Sequence, residues 1–223
     1  MASDTKGLLY VLVSPGELLS MEELHTWFHG QCTHNQPGLT LLNANIYEAA
    51  DTQKPEWLAV YELESVHQAE RWLYQLQPLS RFETVEARIY RLFSEKISPF
   101  YDATSAPNRV FRTVALQPGP ELSEKNYNEW YEDEHIPLLS AVPGWLKSTR
   151  WELRKVLSFN QGTIQDGKRL SQHLAIHEWQ SDQSFSTPEF KHATSTPWRN
   201  HIMPRLDKEL GERRNFKPHA RML

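Results

Sequence analysis

The amino-acid sequence predicts an α+β protein: two tandem βαββαβ repeats, packed sheet to sheet as a barrel within one chain. An internal repeat, the spacing of apolar runs and Pro-Gly turns, and a composition able to build a core all lead there. LLYVLVSPGELLSMEELHTWF (8–28) lies over FRTVALQPGPELSEKNYNEWY (111–131) without gaps. Pro15-Gly16 then falls on Pro118-Gly119, Ser20 on Ser123, Trp27 on Trp130 and Phe28 on Tyr131. Further on, Pro37-Gly38 matches Pro143-Gly144, and WLAVYELES (57–65) matches HLAIHEWQS (173–181). VEARIYRLF (85–93) loosely matches GERRNFKPH (211–219). Matches that recur in the same order mark a duplicated unit.

The elements follow from this register. An apolar run of strand type (8–14; 109–117) meets a Pro-Gly turn and then a Ser-initiated helix (20–32; 123–136). Ser123 followed by Glu124 is a helix start signal, and Pro137 should end or kink the helix. A second strand (39–48; 145–155) and a third (57–63; 173–179) come next. A second helix (66–76; 182–194) and a last strand (85–93; 212–217) complete each copy. This order is the ferredoxin-like arrangement. Residues 1–95 form the first repeat, 96–107 a Ser/Pro/Ala-rich linker, and 108–223 the second repeat. A sheet with both helices on one face leaves the other bare, so two copies would cover each other and enclose a cavity between their sheets. The second-half hairpin (155–172) is longer and reads as a lid or a loose tip, and 204–223 as a last strand with a basic tail.

With 223 residues, 39% of them hydrophobic, the chain can bury a core. A net charge of −4 offers no footprint for nucleic acid or an anionic membrane. LLYVLV is far too short to span a bilayer, MASDTKG lacks the order of a signal peptide, and one cysteine permits no intrachain disulfide. The expectation is a soluble cytoplasmic protein with a small-molecule partner. The internal duplication does not require a homodimer and does not exclude one.

WYEDEHIPLLSAVPGWLKSTRWEL (130–153), with HLAIHEW (173–179), resembles the EthD-like group of the dimeric α/β-barrel superfamily. The resemblance spans about 105–205 and is weaker over 5–95, where a degenerate copy sits. Fungal proteins of this tandem kind are associated with secondary-metabolite pathways. The resemblance implies a cofactor-free cyclase, dehydratase or decarboxylase acting on an aromatic or polyketide-like intermediate. The family's motif histidine falls on His135. The first copy reads HTWFHGQCTHNQPG (25–38) there, without His-Ile-Pro, which implies one active centre.

Helical spacing puts Tyr127, Tyr131 and His135 on one stripe. Helix-end dipole and neighbouring carboxylates should raise the His135 pKa and suit it to acid–base work; alternatively it only stabilises the helix end. Tyr131 would position the imidazole or a substrate oxygen. Strand alternation puts Ala175, His177 and Trp179 on one face, so His177 is a second polar contact or a structural histidine. His173 lies about 13 Å along that strand, too far to share a metal ion with His177. Arg112 and Arg150 interrupt apolar strands; each holds an anionic substrate group or pairs with Glu152 or Glu178. Trp130, Trp145, Trp151, Trp179, Trp198 and Tyr61 are candidate walls for an aromatic substrate or ordinary core. His25 and His29, with Cys32 and His34 close behind, form a minor alternative as a zinc site, but no H-E-x-x-H or C-x-x-C pattern supports it. No cofactor and no metal are expected. The competing function is a carrier that holds a reactive metabolite without transforming it.

Overall fold

The computed structural model describes residues 5–17, 19–33, 40–73, 82–102, 109–160, 163–165 and 168–221. They form two compact units. The first comprises Met1–Leu92, Trp151–Arg169 and Phe216–Leu223, the second Phe93–Arg150 and Leu170–Asn215. Compactness therefore does not follow the division into 1–95 and 108–223: the chain from Phe93 onward joins the second unit, and the segments Trp151–Arg169 and Phe216–Leu223 join the first.

In the first unit, strands β1 (Gly7–Ser14), β2 (Leu41–Ala49), β3 (Trp57–Leu63) and β4 (Thr84–Ile97) lie in the order β4-β1-β3-β2. All of these pairings are antiparallel. Helix α1 (Met21–Thr33) starts from a capping box: Ser20 Oγ accepts from Glu23 N–H at 3.2 Å, and the Glu23 carboxylate accepts from Ser20 N–H at 2.9 Å. With α2 (Val66–Leu73), it packs Trp27, Phe28, Trp72 and Leu73 onto Leu9, Val11, Tyr61, Ala87 and Ile89 in one apolar core. The Pro37-Gly38 turn lies outside the described residues.

In the second unit, the strands are β5 (Val110–Pro118), β6 (Trp145–Asn160), β8 (His173–Trp179) and β9 (Leu206–Arg221). Their order is β9-β5-β8-β6, the same pattern with the first and third strands central. The registers agree as well: Leu9 sits opposite Tyr61 on β1 and β3, and Arg112 opposite His177 on β5 and β8.

Several elements depart from expectation. Ser123 caps α3 (Glu124–Glu129) by accepting from Asn126 N–H, but the helix does not stop at Pro137. It winds through a π-helical segment, Trp130–His135, into α4 (Ile136–Ser140). Ile136 N–H reaches back to the Tyr131 carbonyl in the wide turn, just ahead of a proline that has no N–H to give. A turn follows in which Gly144 holds φ +84°, a left-handed conformation that favours glycine; a Cβ there would meet Ser184 Oγ at 2.5 Å.

The expected helix 182–194 is a 3₁₀ turn (Asp182–Ser186) followed by α5 (Pro188–Ala193). A further helix, α6 (Pro197–Ile202), comes after it. Thr187 and Thr196 cap α5 and α6, and each is followed by proline. Strand β4 runs to Ile97, into the expected linker, and residues 103–108 lie outside the described set. Beyond β6 the chain turns back into β7 (Thr163–Gln165), and Leu157 and Phe159 pack against the first unit's core. The stretch read as a lid or loose tip is thus partly a seated hairpin. The last strand, expected over 212–217 and followed by a basic tail, is β9 from Leu206 to Arg221 and takes in part of that tail. Among the described residues, no helix is long and apolar enough to cross a membrane.

Candidate functional site

A cavity of about 310 Å³ opens inside the second unit, between strands β5, β8 and β9 and the helices of the same unit. It is not on the sheet's bare face, where the sequence placed it. Arg112, His177 and Arg213 on the strands, with Arg199 on α6, give polar ends that cannot close into a dry core. The helix Glu124–Ser140 contributes Trp130, Tyr131, His135 and Leu139; Trp179 and Phe190 add aromatic walls.

The π turn decides how the helix residues meet. In an α-helix a residue five places on lies about 140° round the axis. Here Trp130 and His135 stack at 4.6 Å with 20° between their planes, while Tyr131 meets the same imidazole edge-on at 5.5 Å. The expected stripe Tyr127–Tyr131–His135 is present, and Trp130 joins it. Tyr127 lies behind, giving its hydroxyl proton to the Leu116 carbonyl at 3.0 Å. Burial pushes both tyrosine hydroxyls up, so both stay protonated.

The expected upward shift of His135 is reversed: its pKa falls to about 4. Burial is the first cause, and Arg199 and Arg213 add to it against a main-chain hydrogen bond at Ala193. The helix-end argument fails because the helix continues past His135. The carboxylates are also engaged elsewhere: Glu132 takes hydrogen bonds from Arg150 and Ser94, and Glu134 from Thr196 Oγ1. His135 Nδ1 is a buried atom with no hydrogen-bond partner.

His177 lies 6.5 Å from His135, ring centre to ring centre, and burial with nearby cations lowers its pKa to about 3. Its Nδ1 is 2.7 Å from Ser148 Oγ, which accepts from Trp145 Nε1–H at 2.9 Å. An indole only donates, so Ser148 Oγ accepts there and keeps its own proton to give to Nδ1, the arrangement that puts the ring proton of His177 on Nε2.

Arg112 donates from Nε to Asn215 Oδ1 at 2.8 Å and lies 3.7 Å over the Phe185 ring. Its expected carboxylate partners are taken, since Glu178 pairs with Arg109 and Glu152 with Arg91. Burial, then Arg213, lowers the Arg112 pKa to about 10, which still leaves it charged at neutral pH. Arg150 pairs with Glu132 and sits 4.4 Å over Tyr131, outside the cavity lining.

Of the residues singled out from sequence, His135, Tyr131, His177, Trp130, Arg112 and Trp179 come together here. Trp145 does not line the cavity; its indole N–H donates to Ser148 Oγ. Trp151 and Tyr61 belong to the first unit, Tyr61 packed 4.7 Å from Trp72. Trp198 bonds to Asn126. His25 packs against Trp57 and His219, while His34 and the Cys32 side chain lie outside the described residues. No group of three or more His, Cys, Asp or Glu arranged for a metal occurs among the described residues. Sequence reasoning missed Arg199, Arg213 and Ser148. The repeat held one signal: Arg112 falls on Leu9, His177 on Tyr61 and Arg213 on Ala87, polar against core.

No protein-family profile matches the chain, and no curated protein matches it. Solved structures do. A protein described as anthrone oxidase-like superposes with TM-score 0.69 at 9% identity, covering 99% of this chain and 93% of that one. A candidate monooxygenase from Lactobacillus acidophilus NCFM gives 0.57 at 8% identity, covering 99% and 95%. A chlorite dismutase variant from Candidatus Nitrospira defluvii gives 0.57 at 7% identity, covering 98% and 92%. The likeness supports the α+β arrangement of antiparallel strands and helices described above. At these identities the likeness is one of fold.

Proposed function

We propose that the chain is a cofactor-independent lyase, cyclase or isomerase for an aromatic, polyketide-like intermediate, with His135 as general base. The supporting observation is a neutral imidazole stacked on Trp130, facing a second neutral histidine across an aromatic cavity. In this reading His135 takes a proton from carbon beside a carbonyl, and Arg112 stabilises the enolate oxygen. Tyr131 or His177 Nε2–H then gives a proton to a departing hydroxyl in dehydration, or to carbon in isomerisation. The proposal includes two duplicated ferredoxin-like repeats forming a pseudo-dimer, of the fungal EthD-like type, in cytoplasmic secondary metabolism.

One comparison favours a second outcome for the same base. The likeness to an anthrone oxidase-like protein favours a reading in which the carbanion formed at His135 meets dioxygen instead. Comparing a gene deletion complemented with wild type or with His135→Ala, by mass spectrometry of metabolites, tests both readings. Deletion and variant should accumulate one intermediate. Its mass difference from the product names the step: loss of water, loss of carbon dioxide, no change, or gain of oxygen. A wild-type profile from His135→Ala removes His135 from the chemistry and brings the carrier function forward.

A further inference from the structure

We propose that the cavity binds an aromatic carboxylate, its ring against Trp130 and Trp179 and its anionic group on Arg112 and Arg199. This deepens the proposed function and shares its cavity, but does not depend on the histidine chemistry.

Three arginines line the cavity, and no Asp or Glu does. Two of them carry the inference. Arg112 has a single hydrogen bond, from Nε to the neutral Asn215 amide, and no carboxylate partner among the described residues. Its remaining nitrogens have no bonding partner there, on a guanidinium held flat against Phe185. Arg199, half-buried on α6, likewise has no carboxylate partner among the described residues, and burial and Arg213 weigh against its charge. The exposed Arg213 stands at the edge of the same cavity.

Several other buried cations among the described residues are matched: Arg109 with Glu178, Arg150 with Glu132, Arg88 with Glu86, Lys147 with Glu95. Half-buried guanidiniums without counter-ions are costly unless a ligand supplies the charge. The planar fork of arginine suits a carboxylate, and the indole walls suit a flat ring beside it. A carboxylate held this way is an anchor. Its loss as carbon dioxide would move charge away from the arginines, so the inference favours dehydration, ring closure or isomerisation over decarboxylation.

The test measures equilibrium binding to the purified full chain by calorimetry, with 2-naphthoate, methyl 2-naphthoate and 2-naphthyl phosphate as probes. Naphthoate should bind roughly tenfold or more tighter than its methyl ester, the range expected for a charge-assisted hydrogen bond. Arg112→Gln and Arg199→Gln should each remove most of that gap, and His135→Ala should leave it. If Arg112→Gln does not fold, Arg199→Gln, on a partly exposed helix, carries the test alone. Equal binding of acid and ester, no binding of either, or a preference that survives Arg199→Gln overturns the proposal. Tighter binding of the phosphate than of the carboxylate overturns the carboxylate assignment. Because His135→Ala is scored by turnover in one experiment and by anion preference in the other, the two proposals fail separately.

Discussion

At the scale of residues, burial beats every other influence on the two central histidines. With folded-state values of about 4 for His135 and about 3 for His177, both lie below the ordinary histidine value near 6.5. The unfolded chain therefore takes up protons at a pH where the folded chain does not. The stability that comes from neutral burial is complete above about 6.5, declines as pH falls below that value, and is fully lost once pH has fallen through about 4 and then about 3. Between pH 7 and pH 4.5, urea unfolding should show a loss on the order of a few kcal/mol. His177→Gln, which keeps a polar group for Ser148, should lose less over that interval. Turnover should stay level through neutrality and fall only toward pH 4; an acid limb at the ordinary histidine value would mean that His135 is not buried as described. Ser148 is the positioning residue here. Ser148→Ala strips both Trp145 Nε1–H and His177 Nδ1 of their partner, at a cost of about 1–3 kcal/mol in stability. It should also release the His177 tautomer, visible in the ¹⁵N shifts of the ring; Ser148→Thr should restore them, whereas a purely structural serine would leave those shifts in place.

At the scale of elements, the π turn is what joins Trp130, Tyr131 and His135. Asp133 lies exposed within it. Deleting Asp133 should let the helix tighten to ordinary α winding while its core contacts persist. Trp130 and Tyr131 would then meet the imidazole at ordinary four- and three-residue spacing, displaced from the geometry of the wide turn, and turnover should fall about 100-fold, the scale of a roughly 1 Å misplacement. The thermal midpoint should stay level or rise; a deletion that melts early with no separate loss of activity would make the turn a folding feature only. Nothing in the sequence announces this winding. Helical periodicity put Tyr127, Tyr131 and His135 on a stripe and left Trp130 beside it, because a local change of pitch has no compositional mark. By contrast, strand runs, Pro-Gly turns and the Ser20 and Ser123 caps are local chemistry, and the elements they announce are where they were expected. Arg199 was illegible because α6 is a six-residue helix in a stretch to which the sequence assigned no element, and Arg213 because it is one of several charged residues in and around the last strand, expected over 212–217, whose facing the sequence did not decide.

At the scale of the whole chain, two units share a strand order and a register but fill the equivalent space differently. Leu9 and Tyr61 in the first stand where Arg112 and His177 stand in the second, and the first set is closed by Trp27, Phe28 and Trp72. One unit thus fills the space by packing and the other leaves a polar-lined cavity, which predicts opposite responses to mirrored substitutions. Leu9→Arg places a charge in a fully buried position with no partner and removes a large apolar side chain, a loss of at least about 3–5 kcal/mol. Most of that variant should be unfolded or insoluble. Arg112→Met removes a half-buried cation with no carboxylate partner among the described residues and supplies apolar volume beside Phe185 and Phe190. Its stability should be unchanged or higher by up to a few kcal/mol, with turnover lost, because replacing a poorly compensated charge with a packed apolar group often stabilises. Thermal melts of the two variants, read beside the naphthoate binding stoichiometry, check the asymmetry. One probe bound per chain and opposite shifts in melting are expected. A stable Leu9→Arg that binds a second probe would mean that the first unit keeps a usable cavity, and that the duplication carries two sites.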